Sequence, residues 1–370
     1  DRPWNYHPMF VSLFRNKKSF TLDIRQPDGI EILGRLAAIS DVVIENSAVG
    51  TMEKLGIEYE WLCSMREDII FVRAPGYGLS GAYKSARTMG SHLEGVVGHH
   101  LLRGYRDSGP KENSAIFAAD YIAATQIAFS VMAALWHREK TGKGQFIEMA
   151  QAENSMAMFA QAYMDFALNG NLGEALGNRS IYAADGEAPC GVYPCYSEGS
   201  ASEGLDRWIA ITITTDEEWI SLRQQMGNPD WAVSSDFESA KGRADSQDVL
   251  DKNIAEWTKQ FSDYDLFHKL QAAGIAAAPV LEASRVRDDP YVQHRELFSP
   301  QTLEDDIGTF DYPGPLYKFS DAEGGIRMPP VAFGQDNDYV YRDLLSLGDD
   351  EYEKLVDQGH IATKFSDKVP

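Results

Sequence analysis

The first 150 residues alternate short β-branched runs with helical stretches, and this alternation restricts the fold more than any other feature of the chain. Ser19-Phe-Thr-Leu-Asp-Ile-Arg25 alternates like a strand, and Pro27-Asp-Gly opens a helix whose apolar residues from Ile30 to Ile39 fall at helical spacing. Asp41-Val-Val-Ile-Glu45 reads as the next strand, Met52–Met65 as a helix, and Asp68-Ile-Ile-Phe-Val-Arg73 as a further strand. Strands joined by helices of this length make right-handed βαβ crossovers and so a parallel sheet. The expected class is α/β, with a Rossmann-like parallel-sheet large domain. Asp1–Pro8 is polar, proline-containing and aromatic, a poor beginning for such a sheet, so we expect that an earlier strand–helix pair is missing from the chain.

A long helix is predicted from Asp120 to Lys140. Ile127, Phe129, Val131, Met132 and Trp136 spread over its faces, and a helix apolar all round is expected to be buried. Thr141-Gly-Lys-Gly144 is a turn, Gln145-Phe-Ile-Glu resumes a strand, and Glu153–Leu168 reads as another helix. After Gly177 the texture shifts to glycine, serine and proline. Trp208–Thr214 and Ile275–Leu281 then read as strands, with helices at Glu217–Met226 and Ile254–Ala273. The expected organisation is a large domain at 1–185, a smaller α/β domain at 186–295, and a linker and C-terminal segment at 296–370 that returns to the large domain, with helices at Tyr339–Leu347 and Asp350–Gln358.

Composition removes several function classes. The formal charge is −22 over 370 residues, which argues against a nucleic-acid surface, because phosphate binding needs clustered Lys and Arg. No run of 18 consecutive apolar residues occurs, so no membrane span is expected. The N-terminus lacks the basic and apolar regions of a signal peptide. Three cysteines are too few for a disulfide framework; Cys190 and Cys195 are close enough to pair, but free thiols in a cytoplasmic protein are the expectation. No HExxH motif or tight His/Cys group is present, and the adjacent pair His99-His100 does not converge on one metal, so no metal site is expected.

Asp120 stands just before the long helix. A helix cap accounts for it fully, since Asp satisfies free backbone N–H groups there. The same position offers chemistry: the helix N-terminus carries about half a positive charge, which holds a carboxylate ionised from a starting pKa near 3.9, and an ionised carboxylate can act as a covalent nucleophile. Gly76-Tyr-Gly-Leu-Ser-Gly81 fits GxGxxG and follows a strand. Ala82–Thr88 is nevertheless a poor helix start, and no acidic residue ends a neighbouring strand about twenty residues later, so a plain glycine loop is the better reading. Arg15, Lys17, Lys18 and Arg25 form a local basic group, either a solvated face or a seat for a phosphorylated ligand; screening over about 8 Å lets such a group outweigh distant negative charge.

Arg15-Asn-Lys-Lys-Ser19 with Leu22-Asp-Ile-Arg25, then Asp41-Val-Val-Ile-Glu-Asn46, Gly50-Thr-Met-Glu-Lys-Leu-Gly56 and Arg138-Glu-Lys-Thr-Gly-Lys-Gly-Gln145, occur in a specific order. Together they resemble the class III CoA-transferase family, which includes formyl-CoA and carnitine CoA-transferases and methylacyl-CoA racemases. The resemblance covers essentially the whole chain. It implies interlocked homodimers, in some cases heteromers, and a family fold that usually begins with one more strand and helix. It implies that Asp120 is the catalytic carboxylate, that Leu22, Asp23 and Arg25 lie along the adenosine of CoA, and that Asn46, Lys54, Leu55 and Arg87 make further CoA contacts. Ser47 stands where an aromatic residue is common and Lys54 where arginine is common, which would replace a bidentate phosphate contact by a point charge. The implied substrates are an acyl-CoA donor and a small carboxylic acid acceptor, with no permanently bound cofactor.

Other readings stay open at this point. The racemases carry a Gly-His-Asp segment before the aspartate; here Thr88-Met-Gly-Ser91 puts Met89 at the histidine's place, with His92 three residues on. Isomerase chemistry would need such an acid–base pair. A non-catalytic subunit of a heteromeric transferase and a nicotinamide oxidoreductase are the remaining alternatives. Tyr182 and Ala188–Tyr193 either line the acceptor's site or pack the core. Leu101–Asp107 with Gly144–Glu148 leans towards the carnitine and aryl-succinate branch.

Overall fold

Three short parallel strands organise the first part of the chain. The computed structural model describes residues 3–112, 118–197, 206–303, 307–314 and 316–365. Its contacts divide into two compact units, one of Asp1–Val97, Ile116–Ala160 and Pro290–Pro370, the other of Gly98–Ala115 and Gln161–Asp289. In chain order the first elements are α1 (Pro8–Leu13), α2 (Pro27–Ile39), β1 (Val42–Glu45), α3 (Thr51–Leu55), α4 (Tyr59–Met65), β2 (Ile70–Arg73) and α5 (Gly90–Val96). They are followed by α6 (His99–Leu102), α7 (Ala118–Thr141), β3 (Gln145–Glu148), α8 (Gln151–Met156) and α9 (Ala160–Asn169).

The first unit's sheet has the order β1-β2-β3, all parallel. The register aligns Glu45, Arg73 and Glu148 at the strands' carboxyl ends. All four β2 residues are buried, as expected for a strand covered on both faces. The predicted helix over Met52–Met65 is two helices, because Gly56 takes φ +72° and stops α3. The predicted strand Ser19–Arg25 joins no ladder, and Ile24–Arg25 is a turn. Its backbone is satisfied by side chains far along the chain instead: Ser19 N–H donates to Asp336 Oδ2 (2.8 Å), Thr21 N–H to Asn337 Oδ1 (2.9 Å) and Asp23 N–H to His360 Nδ1 (3.3 Å).

Helix α7 is as long as predicted but not buried as predicted. Ile127, Val131 and Leu135 pack with Ile70, Val72 and Ala134, while Phe129, Met132 and Trp136 are 73%, 64% and 64% exposed. Its length and a mean hydropathy of 1.4 over 18 residues would suffice for a membrane span, a property hidden from a search for unbroken apolar runs. The Arg138–Gln145 motif anchors its far end: Arg138 Nη2 donates to Asp41 Oδ1 (2.8 Å), and a Cβ on Gly144 would sit 2.1 Å from the Ile69 carbonyl oxygen. Only glycine fits that crossing.

The second unit holds an antiparallel sheet, β4 (Cys190–Pro194), β5 (Trp208–Thr212) and β6 (Ala276–Val280), in that order. Helices α10 (Asp216–Gln225), α11 (Ala240–Asp245), α12 (Gln247–Thr258), α13 (Asp263–Ala272) and α14 (Ala283–Asp288) accompany it. Ile209, Ile211, Trp219, Leu250, Ile254 and Leu266 fill its core. The predicted helix Ile254–Ala273 is split into α12 and α13 by Ser262, whose hydroxyl caps α13 by accepting from Asp265 N–H (3.2 Å). The chain then adds to the first unit α15 (Pro290–Arg295), a hairpin of β7 (Phe298–Thr302) and β8 (Thr309–Pro313), a π-helical turn at Tyr339–Leu344, and α16 (Asp349–Asp357). Cys63, Cys190 and Cys195 are all free thiols.

Candidate active site

Helix α7 leads into β3, so it runs against the strand direction and its first turn lies at the sheet's carboxyl edge. Open α/β sheets bind ligands at that edge. The loop after β2 is laced to the start of α8: Gln151 N–H donates to the Pro75 carbonyl (3.2 Å), Ala152 N–H to the Gly76 carbonyl (3.0 Å) and Gln151 Nε2 to the Ala74 carbonyl (2.7 Å). A Cβ on Gly76 would lie 2.2 Å from Thr88 Cγ2, so glycine lets the loop fold back on itself. Leu79 N–H donates to Glu148 Oε1 (2.6 Å). The segment after the loop opens no helix before Gly90, unlike a dinucleotide fingerprint.

Asp120 stands on this edge, inside the first turn of α7 rather than at its cap. The preceding residue, Ala119, is buried with Leu93, Val97 and Ala152, with Tyr77 packed against them. The sign of the electrostatics differs from the expectation drawn from the helix dipole. Desolvation, and next the negative charge of Glu94, push the Asp120 pKa above its ordinary value, although the side chain keeps substantial exposure. Glu94 is fully buried in α5, and its Oε1 accepts from Ala118 N–H at 2.7 Å, so it holds the beginning of α7. Sequence reasoning missed Glu94. The available signal was one charged residue in the otherwise apolar run Leu93-Glu-Gly-Val-Val97, a pattern that marks a buried carboxylate with a task.

Asn46, Lys54 and Leu55 are carried by the loop after β1 and by α3, on the same edge. An ion network with a buried pair, Arg73 and Glu45, and an exposed third member, Glu53, holds that loop. Arg73 pairs through Nε with Glu45 and through Nη1 with Glu53 (2.8 Å). Glu45 Oε2 also accepts from Ser47 N–H (2.7 Å), and Glu53 Oε2 from Gly50 N–H (2.9 Å). The Arg73 guanidinium holds the Glu53 carboxyl below its ordinary range. Removing Glu45 or Arg73 strands its buried partner, at a cost of about 3–5 kcal/mol. The loop is thus rigid while Asn46 and Lys54 themselves point to the surface.

Leu22, Asp23 and Arg25 line a separate cavity of about 650 Å³, whose lining includes none of Asn46, Lys54, Leu55, Arg87 and Asp120. Arg25 grips Asp23 with two bonds, Nε to Oδ1 (2.7 Å) and Nη2 to Oδ2 (2.9 Å). That grip, ahead of all other causes, depresses the Asp23 pKa far below the carboxylate range. Arg87 is exposed in the stretch between the glycine loop and α5. The basic group is largely spent locally: Arg15 and Lys17 bond the Ser12 and Leu13 carbonyls, and Lys18 pairs with Asp336 (3.2 Å). His92 caps α5, its Nδ1 accepting from Met89 N–H (3.1 Å); this engagement tells against its use as a racemase base. Cys190, Val192 and Tyr193 line a cavity in the second unit together with Arg179 and Asp251, and Tyr193 is also a core residue.

The first turn of α7, which carries Asp120, and the loop after β1 both lie at the sheet's carboxyl edge, where open α/β folds bind ligands. The chain belongs to CoA-transferase family III, whose sequence model matches residues 2–337. It is 29% identical over 343 residues to succinyl-CoA–D-citramalate CoA-transferase of Chloroflexus aurantiacus, covering 93% of this chain and 82% of that one. It is 26% identical to the beta subunit of succinyl-CoA–L-malate CoA-transferase of the same organism, over 94% and 83% of the two chains. Among solved structures, a CAIB/BAIF family protein from Brucella suis superposes with a TM-score of 0.77 at 25% identity, covering 90% of this chain and 83% of that one. The protein is therefore a class III CoA-transferase.

Proposed function

We propose that the enzyme moves CoA from an acyl-CoA donor to a small carboxylic acid acceptor through covalent intermediates on Asp120. The observation that carries this reading is the placement of a carboxylate with raised pKa in the first turn of α7 at the sheet's carboxyl edge. A raised pKa makes the ionised carboxylate more basic and so the stronger nucleophile. An Asp120 oxygen attacks the donor's thioester carbonyl; the C–S bond breaks, leaving a mixed anhydride and CoA thiolate. The thiolate attacks the aspartyl carbonyl, the anhydride C–O bond breaks, the donor acid departs as its carboxylate, and an aspartyl-CoA thioester remains. The acceptor carboxylate then attacks that thioester and expels the thiolate, which attacks the acceptor's own carbonyl and regenerates Asp120. Backbone N–H groups of the Gly76–Gly81 loop other than Leu79, whose N–H is given to Glu148, are the candidates for an oxyanion site.

Leu22, Asp23 and Arg25 take the adenosine end of CoA in this reading, and Asn46, Lys54, Leu55 and Arg87 take further parts of it. The relatives' names make succinyl-CoA the first donor to test, with citramalate and malate as first acceptors. The working form is a homodimer whose second copy covers the exposed stripe of α7; one relative's name, a beta subunit, keeps a heteromer among the outcomes. A reducing, cytoplasmic setting suits three free thiols. The test is trapping: incubation with succinyl-CoA, then hydroxylamine or borohydride, modifies Asp120 and stops transfer. Asp120→Ala lowers the rate at least about a thousandfold; full transfer by that variant refutes the mechanism.

A further inference from the structure

The cavity beside Leu22–Arg25 has a second wall, formed by the C-terminal segment. At about 650 Å³ it falls within the range of small-molecule sites, roughly 300–1,000 Å³. Gln358, His360, Lys364 and Phe365 make this wall, and all lie beyond residue 337, where the match to the family ends. The wall is fastened to the opposite side. Thr21 Oγ1 donates to the His360 carbonyl (2.8 Å) and accepts from Ala362 N–H (2.9 Å). Asn337 Nδ2 donates to the Ala362 carbonyl (3.0 Å), and the buried His360 ring accepts from Asp23 N–H (3.3 Å).

The chemistry of the two walls is complementary to a phosphorylated nucleoside. The Arg25 fork is already committed to Asp23. Lys364, on the other wall, is exposed, and among the described residues no carboxylate pairs with it. Beside it, the Phe365 ring lies 4.4 Å from Phe333 and 5.0 Å from Trp4, and remains 43% exposed. An exposed ring held by two others is a stacking platform for a base, and a lysine with no ion-pair partner is a point charge for a phosphate.

We propose that residues 358–365 close the nucleotide end of the CoA site, Lys364 meeting the 3′-phosphate and Phe365 packing on the adenine. This rests on the reading that Leu22–Arg25 takes the adenosine of CoA. The experiment is calorimetric titration of the full chain and its variants with CoA and with 3′-dephospho-CoA at fixed ionic strength. Lys364→Gln weakens CoA binding about tenfold, the size of one charge-assisted contact, and leaves 3′-dephospho-CoA unchanged. Phe365→Ala weakens both ligands alike. Arg25→Glu, at an exposed position, weakens CoA whichever residue meets the phosphate. If Arg25→Glu weakens CoA but Lys364→Gln does not distinguish the two ligands, the C-terminal wall is wrong and the adenosine reading survives. If Arg25→Glu leaves CoA binding intact, both fall.

Discussion

Glu94 and Asp120 form an unequal pair of carboxylates. Glu94 is fully buried and committed to a backbone N–H, whereas Asp120 is exposed to an incoming substrate. The fixed negative charge beside Asp120 adds to desolvation in raising its pKa, so the fraction of reactive carboxylate falls as pH drops through that raised value. Glu94→Gln keeps a hydrogen-bond acceptor for Ala118 but removes the charge. The acid limb of the kcat/KM profile therefore moves to lower pH, while neutral-pH turnover falls because the nucleophile is less basic. Glu94→Ala would also loosen α7, so only the glutamine variant separates charge from support. An unmoved acid limb in Glu94→Gln would show that Asp120 does not sense its neighbour. Little of this was legible from sequence: Asp120 had the position of an ordinary cap until the ordered motifs around it were considered, and nothing local links Glu94 to a residue 26 positions later.

At the scale of elements, α7 poses an energetic problem in its isolated chain. Phe129, Met132 and Trp136 follow one another at helical spacing on the side away from the sheet, and leaving such a stripe in water forfeits roughly 1.5–3 kcal/mol for each large side chain. A second copy covering it removes that cost. Trp136→Glu then raises the dimer dissociation constant at least about 30-fold, the threshold of an interface hot spot, seen as a concentration-dependent mass by light scattering. A variant that stays dimeric at micromolar concentration places the interface elsewhere. The all-round apolar pattern predicted a buried helix, whereas in this chain only the sheet-facing side of α7 is covered; such a pattern does not say what faces the rest. Strands β1 and β2 were readable because short β-branched runs between polar and turn residues favour strands, although only β2 is buried throughout. Ser19–Arg25 was misread for the same reason, since alternation looks alike whether the partner is a neighbouring strand or side chains some three hundred residues away.

For the whole molecule, the charged pairs set a pH window. Asp23 is held below its ordinary pKa first by Arg25, Glu53 by Arg73 and Asp68 by Arg66. A lowered folded-state pKa stabilises fully above the unfolded carboxylate range and is lost as pH falls towards the folded value. Asp120 is raised, and so acts oppositely. With Asp28, Asp248, Glu256 and Glu282 also lowered, seven such carboxylates against one raised among the described residues predict a melting temperature that falls on acidification below about pH 4–5, where unfolded carboxylates begin to protonate; a melting temperature flat from pH 6 to 3 would contradict it. The tie between Thr21 and residues 360–362 has a different consequence, one of timing. During synthesis the N-terminal motif leaves the ribosome long before its partners exist, at about 5–20 residues per second. For most of that interval Leu22–Arg25 has no opposite wall, so the chain acquires its cavity only once residues 358–365 have been made, and a nascent protein released before then would lack it.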